Sequence, residues 1–95
     1  MPPPDITRVF KGAQNEFEVE IVFAREEGQS PKEGHTYDEI IVVTEGVIDL
    51  ERSDRDEIST HSTYDRIVLP KGTVHQITIK ETPMKLVIIH PDRRE

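Results

Sequence analysis

Three side chains that can bind a metal ion lie close together near the middle of the sequence. Glu33, His35 and Glu39 follow one another at intervals of two and four residues. In an extended strand, residues at even intervals project from the same face. The segment therefore predicts a chelating face with one imidazole and two carboxylates.

A second histidine, His75, follows a turn signal later in the chain. Pro70 and Gly72 precede it, and proline and glycine are typical of a turn that leads into a strand. If the two segments meet in the fold, two imidazoles and two carboxylates converge. This mixed nitrogen and oxygen set suits manganese, iron(II), nickel or zinc, and the two carboxylates balance the charge of a divalent ion.

The first segment resembles the first sequence motif of the cupin superfamily, Gly-x5-His-x-His-x3/4-Glu-x6-Gly. His35 matches the second histidine of that motif, Glu39 its glutamate and Gly46 its last glycine. Glu33 stands where the motif has its first histidine, and Gln29 or a neighbour stands in place of the leading glycine.

The second segment resembles the second cupin motif, Gly-x5-Pro-x-Gly-x2-His-x3-Asn. Pro70, Gly72 and His75 occupy the expected places. Tyr64 replaces the glycine of this motif and Ile79 its asparagine. Three of the four ligand positions of the family are therefore retained.

The resemblance covers about residues 17–89 and implies an all-β protein with an antiparallel double-sheet jelly-roll barrel. It implies one divalent metal ion per subunit, with His35, Glu39, His75 and Glu33 as its ligands. Glu33, at a substituted position, either binds the ion directly or lies at the rim of the site. The resemblance also implies a homodimer. Similar proteins include dioxygenases, sugar isomerases, lyases and non-enzymatic binders, so the motifs identify a fold better than a reaction.

The composition fits one small domain over residues 1–95. Only 34% of the residues are hydrophobic and 33% are charged, which predicts a thin core that a homodimer would supplement. A formal net charge of -7 argues against a nucleic-acid partner, because duplex phosphates favour clustered basic residues. The lack of cysteine excludes disulfides, thiolate catalysis and cysteine-ligated metals.

The N-terminal segment carries no basic region followed by an apolar stretch, and no run is long enough to cross a bilayer. We therefore expect a cytoplasmic protein without a membrane partner. Pro2–Pro4 should be extended, because proline fixes its own φ and lacks an amide donor. Residues 1–15 are expected to form an arm, which could contribute to a dimer, or a flexible N-terminus.

Short segments that alternate between apolar and polar residues recur along the chain with turn signals between them. They predict strands over residues 17–23, 37–44, 47–52, 57–60, 66–69, 74–80 and 84–90. Gly46 should supply a positive φ in a hairpin turn over residues 44–47. This pattern favours an all-β barrel or double-sheet sandwich.

Parity along these strands predicts which faces are buried. Glu39 shares its face with Ile41 and Val43, and His75 shares its face with aliphatic residues that follow it, so both ligands should point inward. In the first strand, the alternation predicts a half-buried element with its apolar side chains on one face and Glu18 and Glu20 on the other. The apolar set is Phe17, Val19, Ile21 and Phe23.

Two tyrosines and two further histidines are less informative. Tyr37 and Tyr64 are candidate catalytic residues that could donate protons or hydrogen bonds to a substrate. The alternative is that each is packed with a hydrated hydroxyl. His61 lies in a polar segment and His90 precedes a proline. Both histidines are expected to be solvated.

Three functions are compatible with these residues. The leading hypothesis is a divalent-metal-dependent enzyme, of dioxygenase or isomerase type, that acts on a small polar metabolite. The first alternative is a metal-independent carbohydrate epimerase, in which His75 or His35 is the base and Tyr37 or Tyr64 the acid. The second alternative is a non-enzymatic module that binds sugars or other small molecules. The sequence leaves open whether the protein is an enzyme.

Overall fold

The computed structural model describes residues 5–11 and 18–91, and the regular elements of this part of the chain are β-strands. They are β1 (Asp5–Lys11), β2 (Glu18–Ala24), β3 (Gly28–Gln29), β4 (Glu39–Arg52), β5 (Ser59–His61), β6 (Arg66–Leu69) and β7 (His75–His90). All strand pairings are antiparallel. The predicted all-β class is confirmed.

Part of the expected N-terminal arm is strand β1, which pairs with β2. Pro2–Pro4 and Phe17 lie outside the described residues.

Two long strands, β4 and β7, pair with each other and contribute to both layers of the barrel. The first half of β4 pairs with β6 and with the second half of β7, which continues to β2 and β1. The second half of β4 pairs with β5 and with the first half of β7, which continues to β3. The sheet therefore folds over on itself, as the predicted double-sheet jelly roll requires.

Aliphatic side chains from the inner faces of both layers form the core. Isoleucine is the most frequent residue of this core, and its β-branched side chain favours the pleated conformation of a strand. The core residues are Val22, Ala24, Ile41, Val43, Ile48, Leu50, Ile67, Leu69, Ile77, Ile79, Met84, Leu86 and Ile88. This core fills the barrel below the polar end that holds the predicted ligands.

Gly46 lies inside β4 and not in a hairpin turn, so the turn predicted over residues 44–47 is wrong. Its φ of +85° agrees with the positive φ expected from the sequence. The register between β4 and β7 shifts around this glycine, which is typical of a β-bulge. A Cβ atom at Gly46 would lie 2.7 Å from the carbonyl oxygens of both Glu81 and Pro83 on β7. The two strands therefore bend together at a point where only glycine fits.

The predicted strands over residues 74–80 and 84–90 are likewise one strand, β7. His75, Ile77 and Ile79 are buried, as parity predicted, and the buried set then moves to the even-numbered residues from Met84 onward. The inward face changes parity because β7 bends opposite the bulge in β4. Both ends of β7 can therefore direct side chains into the barrel.

Strand β2 buries the face opposite to the one that its apolar alternation favours. Glu18 is 1% exposed, and Val22 and Ala24 on the same face are also buried. The aliphatic and aromatic side chains that lie only half-buried on the outer face are Val19, Ile21 and Phe23. Two acidic residues of β2 consequently face the interior or its edge.

Within the described residues, no helix has the length and apolar character needed to span a membrane.

Candidate metal centre

The two motif segments meet at one end of the barrel through backbone hydrogen bonds. Glu33 and His75 form an antiparallel bridge, in which Glu33 N donates to His75 O at 3.0 Å and His75 N donates to Glu33 O at 2.8 Å. The amide of Gly72 donates to the carbonyl of His35 at 2.8 Å. These bonds fasten the loop before β4 to the turn before β7.

The turn itself depends on Pro70 and Gly72. Thr73 N donates to Pro70 O at 3.1 Å, and Gly72, at the third position, has a φ of +85°. This combination is typical of a type II turn, which favours glycine at that position. His75 follows as the first residue of β7 and is 7% exposed. The predicted role of the Pro-x-Gly signal is thus confirmed.

His35 reaches the site from a loop and not from a strand. β4 begins at Glu39, two residues later than predicted, and the segment between Glu33 and Glu39 is irregular apart from the single bridge. The even spacing of the residues therefore does not explain their convergence. Their positions are set instead by the backbone bonds to the turn at Gly72 and to His75.

The ligand atoms of His35, Glu39 and His75 lie within 4.8 Å of one another. Glu39 Oε2 is 3.7 Å from His35 Nε2 and 3.5 Å from His75 Nε2. These distances exceed those of ordinary N–H···O hydrogen bonds, which are about 2.7–3.2 Å. They are close to the separation of about 3.0–3.4 Å expected between neighbouring ligands with metal bonds near 2.1 Å. The arrangement therefore fits an ion held between the three side chains.

Burial in the cluster increases from His35 inward. The side chain of His35 is 21% exposed, whereas those of Glu39 and His75 are 6% and 7% exposed. Burial lowers the pKa of His75, and the nearby His35 lowers it further. His75 is therefore kept neutral near pH 7, which is the form that binds a metal ion.

Glu33 lies next to this cluster at its exposed edge. Its Oε2 atom is 3.6 Å from His35 Nε2, but its side chain is 48% exposed, and it is not one of the three mutually close ligands. Of the two roles that the sequence allowed, this position agrees better with the rim than with the interior.

The two tyrosines lie in different surroundings. The Tyr37 ring stacks on the His35 ring with centroids 4.7 Å apart and an interplanar angle of 12°. Tyr64 is 87% exposed, has a φ of 75°, and donates its backbone amide to the carbonyl of Val43. Val43 is four residues along β4 from Glu39, or about 13 Å in a strand. Tyr37 thus belongs to the candidate site, and the structure does not bring Tyr64 to it.

His90 is buried beside the same site, which corrects the expectation that it is solvated. It is 2% exposed, and its ring lies 6.0 Å from that of His35 and 4.8 Å from that of Tyr37 between centroids. Glu18 and Glu20 accompany it. The sequence did contain a signal, because His90 shares its parity with Met84 and other apolar residues of β7. The residues on the opposite face are also apolar, so parity could not decide which face is buried.

Comparison with solved structures identifies the fold. KdgF from Halomonas sp. superposes with a TM-score of 0.85 at 20% identity, covering 99% of this chain and 84% of that one. The cupin domain of Schizosaccharomyces pombe Cnp3 gives a TM-score of 0.85 at 13% identity, covering 98% of this chain and 67% of that one.

A third similar structure comes from Ralstonia eutropha JMP134 and is named for a proposed mannose-6-phosphate isomerase. Its TM-score is 0.82 at 17% identity, covering 98% of this chain and 88% of that one. No family model matches the sequence, and no curated protein matches it either. The similarity to these structures is thus that of the backbone arrangement. The resemblance inferred from those motifs is confirmed, and the chain is a protein of the cupin fold.

Proposed function

We propose that this chain is a metal-binding cupin that acts as a divalent-metal-dependent enzyme on a small polar metabolite. The observation that carries the proposal is the convergence of His35, Glu39 and His75, with their ligand atoms within 4.8 Å of one another. Two imidazoles and one carboxylate form a donor set that suits manganese, iron(II), nickel or zinc. We propose one such ion per subunit.

The four side chains differ in exposure, and this difference indicates which side of the site is open to solvent. Glu39 and His75 are enclosed, whereas His35 is partly exposed and Glu33 lies at the rim. A substrate therefore approaches from the side of His35 and Glu33. A divalent ion bound there would polarise a carbonyl or hydroxyl oxygen of the substrate.

The side chains around the ion have separate roles in this proposal. Glu39 supplies negative charge in a nearly dry environment, where its attraction for a cation is least screened. Tyr37 covers one face of the His35 ring and so restricts the orientation of that ligand. Glu33 at the rim can accept a hydrogen bond from a hydroxylated substrate.

We propose isomerase chemistry on a sugar-like substrate as the first activity to test and dioxygenase chemistry as the second. The name of the similar Ralstonia protein supports this order, and so do the carboxylate and tyrosine groups that could bind hydroxyl groups at the rim. Sugar phosphates and uronates are the first substrates to screen, by proton exchange with solvent in NMR. Oxygen uptake in the iron(II)-loaded protein tests the second activity.

Metal content is the primary test. Protein purified without chelator should contain stoichiometric metal, and His35→Ala and His75→Ala should lower the metal bound at this site. A matched variant of a histidine on β5, outside both motif segments, is His61→Ala, which should leave the bound metal unchanged. A metal-free preparation that keeps its fold and turns over its substrate would contradict the proposal.

The metal-independent epimerase is retained as a second candidate because of one contact. His35 and Tyr37 are stacked at the accessible edge of the site, where they could act as a base and acid pair on a bound sugar. Activity that survives chelation and is lost in Tyr37→Phe would favour this candidate. Saturable binding of a sugar without product would favour a non-enzymatic binding module.

We also propose that the protein is a homodimer. The outer face of the layer formed by β2, β4 and β7 carries half-buried apolar side chains in register, with Val87 opposite both Ile21 and Val42. This apolar face also explains why β2 directs its acidic residues inward. A second copy of the chain is the occupant we propose for it.

A further inference from the structure

Tyr37 lies in an irregular segment of the chain, so the orientation of its ring depends on the groups that pack against it. The ring stacks on that of His35, with centroids 4.7 Å apart and an interplanar angle of 12°. It also meets the His90 ring nearly at right angles, with centroids 4.8 Å apart and an interplanar angle of 77°. Aromatic rings prefer such stacked and perpendicular arrangements. Tyr37 thus contacts two imidazoles, one from the candidate ligand cluster and one from outside it.

His90 offers Tyr37 a fixed surface on the wall of the barrel. It is the last residue of β7, paired with Glu18 of β2 in the strand register, and it is 2% exposed. The backbone of His90 is held by the hydrogen bonds between strands, whereas the backbone of Tyr37 belongs to no strand. The sheet therefore constrains His90 more tightly than the loop constrains Tyr37.

One short hydrogen bond sets the rotation of the His90 ring. Its Nε2 atom donates to Glu20 Oε1 at 2.6 Å, because a carboxylate can only accept. Glu18 Oε1, at 4.0 Å from the same nitrogen, is too far away for a hydrogen bond. Among the described residues, His90 Nδ1 is buried without a hydrogen-bond partner. The bond to Glu20 is therefore the polar contact that fixes the plane of the ring.

We propose that His90 is a positioning residue for the metal centre, which acts on the ligand His35 through Tyr37. Glu20 holds the His90 ring in the orientation that this role requires. The inference rests on the metal site of the proposed function and adds to it residues outside the ligand set. His35 comes from a loop and its side chain is 21% exposed, so packing against neighbours restricts its rotation. A ligand that is already oriented loses less entropy when the ion binds.

A direct effect of His90 on His35 is the alternative that the test separates. The centroids of these two rings are 6.0 Å apart, which is farther than either lies from the centroid of Tyr37. If Tyr37 transmits the effect, substitution of His90 has no further consequence once the Tyr37 ring is gone. If His90 acts directly, the effects of the two substitutions add.

Calorimetric titration of the chelator-treated full chain with NiCl₂ measures the metal affinity. His90→Ala and Glu20→Ala should each weaken it by about threefold to tenfold. Glu20→Gln should weaken it by less than about twofold, because the amide oxygen still accepts the hydrogen bond from His90. In a Tyr37→Ala background, His90→Ala should weaken it by less than about twofold further. The control is His61→Ala, which removes an imidazole that is hydrogen-bonded to Ser59 and should leave the affinity unchanged.

A second measurement reports on Tyr37 without any metal. The chain has two tyrosines and no tryptophan, so in a Tyr64→Phe background the near-UV circular dichroism band of tyrosine comes from Tyr37. This band requires a ring held in one orientation. It should decrease in His90→Ala and Glu20→Ala and persist in Glu20→Gln. Far-UV circular dichroism establishes that each variant is folded, and the two Glu20 variants carry the test if His90→Ala is not.

The proposal is overturned if folded His90→Ala protein keeps the affinity of the wild type, or if His90→Ala lowers the affinity equally with and without the Tyr37 ring. Equal losses in Glu20→Gln and Glu20→Ala also overturn it, because the charge of Glu20 and not the orientation of His90 would then control the affinity. Wild-type protein that binds no metal contradicts the proposed function instead. The near-UV band then decides whether His90 orients Tyr37.

Discussion

His75 and His90 stand at the two ends of a single strand, β7, yet their imidazole rings approach the same side chain. Their ring centroids lie 5.5 Å and 6.0 Å from that of His35. A straight strand of this length would separate its ends by about 50 Å. β7 must therefore bend back on itself, and its partner β4 bends with it. The candidate site exists because of this bend.

The bend depends on Gly46, where a side chain would meet the backbone of β7. Gly46→Ala should lower the free energy of unfolding by about 2–4 kcal/mol, because alanine is strained at positive φ and its Cβ overlaps two carbonyl oxygens. Chemical denaturation of the two proteins measures the difference.

Gly72 provides a matched control for this prediction. It has the same φ of +85°, but a Cβ there would meet nothing within 4 Å. Gly72→Ala should therefore cost only about 1 kcal/mol, from backbone strain alone. Equal losses in the two variants would contradict the close packing at Gly46.

The burial of His75 makes the stability of the metal-free protein depend on pH. Because its pKa is lowered in the folded state, the unfolded chain takes up a proton first as the pH falls below about 6.5. The unfolded state is then favoured, so stability should decrease from about pH 6.5 downward and be unaffected by His75 above this range. Thermal unfolding in the presence of chelator between pH 8 and pH 5 measures the trend.

His75→Gln removes the titrating group while retaining a polar side chain. The variant should show a shallower loss of stability on acidification than the wild-type protein. Parallel pH profiles for the two proteins would show that His75 titrates normally in the folded state.

Arg52 joins the end of β4 to two other segments. It forms a bidentate ion pair with Asp54, at 2.6 and 2.8 Å, and donates to the carbonyl of Val68 at 3.0 Å, while it is 8% exposed. Arg52→Ala should destabilise the fold by about 1–3 kcal/mol. Arg52→Lys should destabilise it by less, because lysine keeps the positive charge although it cannot form the bidentate pair. Arg66→Ala, an exposed arginine, should have little effect in the same denaturation experiment.

The stacking of Tyr37 on His35 predicts an effect on metal affinity. Tyr37→Ala should weaken metal binding at the site of His35, Glu39 and His75 by about 3–10-fold. The reason is that an aromatic contact of about 0.5–1.5 kcal/mol no longer orients the His35 ring. Tyr64→Ala should leave affinity unchanged, since this side chain is 87% exposed. Calorimetric titration compares the two variants. An equal effect of both would argue against a role for the stacking.

The proposed dimer can be tested at the centre of the outer apolar face. Val87→Glu places a charge between Ile21 and Val42 and should convert the dimer into a monomer. Ile58→Glu changes a residue that is already 63% exposed and should leave the dimer intact. Light scattering coupled to gel filtration measures the mass. A monomeric wild-type protein would exclude the interface.

Much of the fold follows from local sequence. Alternating apolar residues predict the strands around Glu39–Arg52 and His75–His90, and the Pro-x-Gly signal predicts the turn before His75. The three candidate ligands His35, Glu39 and His75 could be named because their residue types and order match the ligand positions of the two cupin motifs. These features depend on near neighbours in the chain, which the sequence displays directly.

The tertiary structure alone decided which faces of the strands are inside. The sequence assigns the apolar side chains of β2 to the buried face of the strand, whereas in the structure Glu18 is buried with Val22 and Ala24 on the opposite face. His90 is buried because both faces of its strand are apolar and only the pairing with β2 selects one of them. The sequence around Gly46 predicts a turn, because a hairpin and a bulge can both require a positive φ at glycine. Only the packing of β7 against Gly46 shows that it lies in a bulge. Parity and turn chemistry are local properties, whereas the direction of the interior depends on contacts between segments far apart in the chain.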